Sequence, residues 1–219
     1  MPKVEFLFDK EKDAWNYWDK SNWDDEENIA NFKIDEKAKK ICLNKEFDGC
    51  KKELLNYLIK LQESDLVDIT LKAVEEAWRK IETDFFKRMD KLMKHSYNSD
   101  IKAYLTTLGI CPYDPDEPSF MFSIFYSVLN NLKTCGHEIM HLYFHKFYWS
   151  KVEKEIGKQN TWDLKEALTV LLNYEFKDLW FVSDNGYDKH KELRNFISRQ
   201  WKKEKDFDIL IKKCVEWYK

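Results

Sequence analysis

The chain has 219 residues, enough for one large domain or two small ones, and with 43% hydrophobic and 35% charged residues it is not an intrinsically disordered polypeptide. A net charge of −3 excludes an overall electrostatic drive toward nucleic acid or an anionic membrane surface. The sequence has no apolar run long enough to span a membrane, and its N-terminus lacks the apolar stretch of a secretion signal. The five Cys are odd in number and lack CxxC spacing, which argues for reduced thiols and a cytoplasmic protein. Aromatic residues reach 16%, pointing to a core filled with large rings.

In chain order, Val4 to Phe8 reads as a short strand and Lys10 to Lys20 as a helix. The acidic run at 24–27 reads as a surface turn. Phe47 to Leu61 is an amphipathic helix, and Ile69 to Met93 a longer one with Val74, Trp78, Phe85 and Met89 in helical steps. Two stretches rich in β-branched and aromatic residues, Ile101 to Leu108 and Phe120 to Tyr126, read as strands flanking a proline-rich loop; either could equally be helical, and the second especially could begin the following helix. Asn131 to Trp149 is apolar nearly all round, as a buried central helix should be. A break at 157–160 precedes a helix from Thr161 to Asn173. A turn at Asp184 to Tyr187 and two closing helices, about 188–202 and 207–218, complete the chain. These elements predict one α+β domain, predominantly helical: a helical N-terminal half, about 1–98, and a half carrying a small antiparallel or mixed sheet, about 99–219.

The central helix carries His137-Glu138-Ile-Met-His141. Side chains four apart on a helix share a face, so both imidazoles can reach one ion. Glu138, displaced about 100° around the axis, can touch a water on that ion without being a ligand. Two His and a Glu are costly to bury in an apolar helix unless paired or metal-bound. His145 lies about 12 Å along the axis from His137 and cannot share its ion. The better third ligand is Glu166, with Glu175 in reserve. A capping box, Asp163 as N-cap and Glu166 as its N3 partner, would account for Glu166 equally well.

His137-Glu138-x-x-His141, followed at this distance by Lys-Glu166-Ala-Leu, resembles the gluzincin class of zinc metallopeptidases, particularly its small cytoplasmic, minigluzincin-like members. The similarity covers about 40 residues, and the HExxHxxxH form that includes His145 is also similar to repressor-cleaving peptidases of the ImmA/IrrE type. The resemblance implies a zincin-like domain, with its sheet packed on the HExxH helix and an edge strand that takes an extended peptide. It further implies Zn2+ as cofactor, held by His137, His141 and Glu166, with Glu138 as general base acting on a peptide or protein substrate. Gluzincins supply an oxyanion-stabilising Tyr or His from beyond the third ligand, where Tyr187 and His190 stand. Thermolysin-like members place an acidic residue four after the ligand Glu, where it orients the first His; here that position is Val170, so the surroundings of His137 must differ. Two other classes stay open: a non-catalytic metal-binding protein with a degenerate site, and a helical interaction protein. A carboxylate-bridged di-iron protein needs a second Glu-x-x-His, which the sequence lacks.

Overall fold

The computed structural model of the chain describes residues 2–23 and 34–219, so the acidic run at 24–27 lies outside the described residues. The β-rich stretches become β1 (Val4–Leu7), β2 (Ile101–Thr106), β3 (Tyr113–Asp114) and β4 (Ser119–Ser123), one sheet in the order β1-β2-β4-β3. β1 runs parallel to β2 with Val4 opposite Ile101, and β2 parallel to β4 with Ala103 opposite Phe120. β3 is antiparallel to β4, pairing Tyr113 with Phe120. The sheet is therefore mixed, and the proline-rich segment forms its outermost strand. Phe120 to Ser123 belong to β4 and not to the following helix. β2 and β4 are buried on both faces, and their sequences accordingly lack an alternating polar face.

Among the described residues the remainder is mostly helical. α1 (Lys10–Ser21), α2 (Glu36–Cys42), α3 (Phe47–Gln62) and α4 (Asp65–Met93) lie between β1 and β2. Asp9, Asp35 and Ser64 accept hydrogen bonds from first-turn amides of α1, α2 and α4, satisfying donors that a helix start leaves free. α1, α2 and α3 enclose a small cluster of their own around Ala14, Tyr17, Ile41 and Leu54. α4 turns Val74, Trp78, Phe85 and Met89 into the main core, where Phe85 packs on Trp78, Phe86, Phe176 and Trp180. The aromatic richness of the sequence is accounted for largely here. Buried Glu82 on α4 accepts from Val4 N (2.9 Å) and Trp78 Nε1 (3.2 Å), which ties edge strand β1 to the helix below it. No helix among the described residues is long and apolar enough to cross a membrane.

α5 (Val128–Phe144) follows β4 after four residues and is locked to it by Asn131. The Asn131 side chain accepts from Ser123 N (3.2 Å) and donates to Ser123 O (2.9 Å), so the strand end and the helix start are held as one unit. Gly136 lets the helix pack closely: a Cβ there would stand 2.6 Å from Trp180 Cη2. Past α5 the helical path continues through a π-turn (His145–Trp149) into α6 (Ser150–Leu168). α6 is broken at Gly157, whose φ of 79° and ψ of 165° lie where residues with a Cβ are strained. Thr161 and Asn160 side chains donate to Gly157 O and Ile156 O, satisfying carbonyls that the break releases. The chain then runs through a 3-10 turn (Thr169–Leu171), α7 (Leu172–Glu175) and α8 (Lys177–Trp180). It closes with a second 3-10 turn (Asp188–His190), α9 (Lys191–Lys203) and α10 (Phe207–Trp217). The helix after the break resumes before Asp163, so Asp163 is an interior residue rather than an N-cap, and no capping box engages Glu166. The turn expected at Asp184 to Tyr187 is part of a longer irregular segment, 181–187, that packs against α5 through Asp184.

A Cβ at Gly157 would meet nothing within 4 Å, so the cost of a side chain there is purely conformational. Gly157→Ala should lower the unfolding free energy by about 1–3 kcal/mol. Gly49→Ala, on α3 with equally open surroundings, should be neutral or stabilising by up to about 1 kcal/mol. Urea titration followed by far-UV circular dichroism separates the two, and equal effects would refute the backbone explanation.

Candidate metal centre

The bends after α5 bring α6 back against it, so residues 25 positions apart meet. His137 and His141 stand one turn apart with ring centroids 4.4 Å from each other. Glu166 Oε2, from α6, lies 3.5 Å from His137 Nε2 and 3.3 Å from His141 Nε2. Glu138 borders the same space: His137, Glu138 and His141 offer ligand atoms all within 4.8 Å of one another, a group that could hold a metal ion. The imidazole pair thus has two carboxylates near it, and Glu166 Oε2 approaches both rings.

Each imidazole is in a different electrostatic situation. Burial opposes charge on His137, but the Asp184 carboxylate outweighs it and raises the imidazole to about 10. Its Nδ1 lies 2.7 Å from Asp184 Oδ2, which leaves Nε2 facing Glu166. His141 is 2% exposed, and burial, reinforced by nearby Lys165, pushes it down to about 3. Neither of its ring nitrogens has a hydrogen-bond partner, an uncommon state for a buried polar group. Burial raises Glu138 to about 7. Glu166 is held well below the usual carboxylate range: burial would raise it, but the Lys165 ammonium and the contact with the His137 imidazole outweigh that. Its second oxygen, Oε1, is 2.8 Å from Lys165 Nζ, close enough for an ion pair although off-axis for a hydrogen bond. The Lys165 ammonium also lies over the rings of Trp162 (3.8 Å) and Tyr113 (4.5 Å).

Asp184 is the residue that sequence reasoning missed. It takes the place expected for an acidic residue at position 170, where Val170 is buried instead. Its Oδ1 accepts from Thr169 Oγ1 (2.9 Å) and Arg194 Nη2 (3.0 Å), and its backbone N and O both pair with the Asn173 side chain at 2.7 Å. Arg194 further donates to Asp184 O (2.6 Å). An irregular segment is thereby fixed as firmly as a paired strand. No spacing rule announces Asp184; an acidic residue in an apparent turn is ordinary.

The other candidates fall elsewhere. Glu175 accepts from Trp201 Nε1 and Lys205 Nζ, both at 2.8 Å, and is not part of the histidine site. His145 stacks on Trp149 at 4.6 Å. His190 pairs through Nε2 with Asp163 Oδ1 at 2.9 Å and does not line the cleft over the histidines, whereas Tyr187 does. That cleft has a volume of about 620 Å³, walled by α1 on one side and by Trp162, Lys165 and the 183–187 segment on the other.

The Asp184–Arg194 pair is nearly excluded from water, with side-chain exposures of 3% and 7%. Removing one partner of such a pair strands the other charge. Asp184→Ala should cost about 3–5 kcal/mol of stability in urea unfolding. A cost within experimental error of zero would mean that Arg194 is satisfied without the carboxylate. Comparison of the chain with protein-family models, with curated proteins and with solved structures finds no match.

Proposed function

We propose that the chain is a zinc-dependent peptidase, with His137, His141 and Glu166 as metal ligands and Glu138 as general base. The observation that carries this reading is the convergence of His137 Nε2, His141 Nε2 and Glu166 Oε2 beside Glu138 in an open cleft. Two nitrogens and one carboxylate oxygen, open on one side, are the donor set of catalytic zinc sites; structural sites are closed by four protein ligands. The buried, unpartnered nitrogens of His141 fit a cation, because a neutral imidazole sealed from water gains most from a Lewis acid at its free lone pair. The carboxylate–imidazole pair of Asp184 and His137 is the kind of outer support that fixes a ligand's tautomer and direction. Zinc bound there would supply a Lewis acid that makes water nucleophilic near neutral pH and polarises a carbonyl.

The chain's own residues supply the remainder. Glu138, raised toward neutrality by burial, can take a proton from the attacking water and return it to the leaving amine nitrogen. Tyr187 lines the cleft, and its phenol, protonated at neutral pH as tyrosines ordinarily are, can donate to the oxygen on which charge develops. We favour Tyr187 over His190 for this task because His190 lies outside the cleft lining. β3 is one of the two edge strands of the sheet and its Tyr113 borders the cleft, so an extended peptide could add to that edge beside the ligands.

The reading predicts one zinc per chain by metal analysis, lost in His141→Ala and retained in Glu138→Gln. Peptide hydrolysis should fall by about 10²–10⁴ in Glu138→Gln, and a chelator should abolish it in the wild type. Zinc without cleavage of any peptide pool would favour a non-catalytic metal-binding protein instead. Undiminished hydrolysis in Glu138→Gln would exclude the general-base assignment.

A further inference from the structure

Four tryptophans of the described residues are exposed, at 38–44%, and three of them, Trp15, Trp23 and Trp162, line the cleft over the histidines. The fourth, Trp217, packs on Phe196 and Tyr218. Large rings left facing water around one concavity mark a surface that gains from being covered. A second cavity of about 410 Å³ adjoins this cleft and shares three walls with it: Trp15, Pro112 and Tyr113. Its floor is apolar. Tyr104 of β2 and Met121 of β4 are register partners, so their side chains stand on the same face of the sheet, and Phe47 of α3 completes the wall. Three charged residues, Glu11, Lys12 and Asp114, stand at its margin. Glu11 pairs with Lys51 at 2.7 Å, and Lys12 lies over the Tyr104 ring and within 3.9 Å of Glu117.

We propose that this second cavity is a specificity subsite for a large apolar side chain, aromatic or long aliphatic, carried by the peptide whose backbone crosses the metal cleft. The proposal rests on the peptidase reading and adds the substrate class to it. Trp15 is the hinge of the idea, because it lines both the metal cleft and the subsite. A chain leaving the ligands across Tyr113 meets this cavity next, and a large apolar side chain entering it would cover Tyr104, Met121 and Phe47.

The test uses Glu138→Gln protein supplied with one equivalent of zinc, so that binding is read without turnover, and dodecapeptide mixtures in which one position at a time is fixed as Phe, Leu, Ala, Glu or Lys. At one position Phe or Leu should bind about tenfold to a hundredfold tighter than Ala, with Glu and Lys no better than Ala. Adding Trp15→Ala should erase that preference, while Trp217→Ala, which removes an exposed ring elsewhere, should leave it intact. Circular dichroism and zinc stoichiometry check that each variant is folded. No positional preference for large apolar residues, absence of binding included, overturns the proposal, as does a preference that survives Trp15→Ala. Wild-type digests keep the two readings apart. Cleavage of all mixtures without preference sinks the subsite alone, and selective binding without any cleavage sinks the peptidase.

Discussion

The Asp184 carboxylate, sealed between an imidazole and a guanidinium, is the constraint on which the centre of the structure depends. Its two oxygens face opposite tasks: one aligns His137, the other ties down Arg194 and Thr169. A lone ionised carboxylate at that depth would be untenable, and so would a lone Arg194. The cost of burying each is met by the other, and the imidazole inherits a fixed direction from the exchange. The same logic repeats on the cleft side of His137, where Glu166 divides its oxygens between Lys165 and the histidine pair. Polar groups deep in an aromatic core are thus linked in a chain that runs from α9 to α5.

That chain has to be presented on a rigid support. Asn131 joins the end of β4 to the start of α5, and the close approach of Trp180 at Gly136 pins the helix on its opposite side. The π-turn and the break at Gly157 then redirect the polypeptide so that α6 returns along the face it left. Side chains that hold a ligand to within a fraction of an ångström need elements of this stiffness behind them.

Periodicity in the sequence identifies the long amphipathic helices, the buried α5 and the strands, because burial on one face or on both leaves a repeating trace in residue type. It places His137 and His141 together for the same reason, and reach alone makes Glu166 a candidate. Where the reading fails, the cause is non-local. Asp163 and Glu166 have capping-box spacing, yet the helix starts earlier because Gly157 supplies the break. The mixed sheet could not be told from an antiparallel one, since β2 and β4, buried on both faces, carry no register signal. Asp184 is silent because its role comes from Asn173 and Arg194, partners no pattern connects to it. Lys165, a fully buried cation between two rings, reads in sequence as an ordinary helical lysine.

The order of these contacts along the polypeptide has a temporal side. The His137–His141 segment leaves the ribosome some 50 residues ahead of Asp184 and Arg194, which give the first imidazole its direction. A half-made chain therefore carries the motif while lacking the scaffold that aims it.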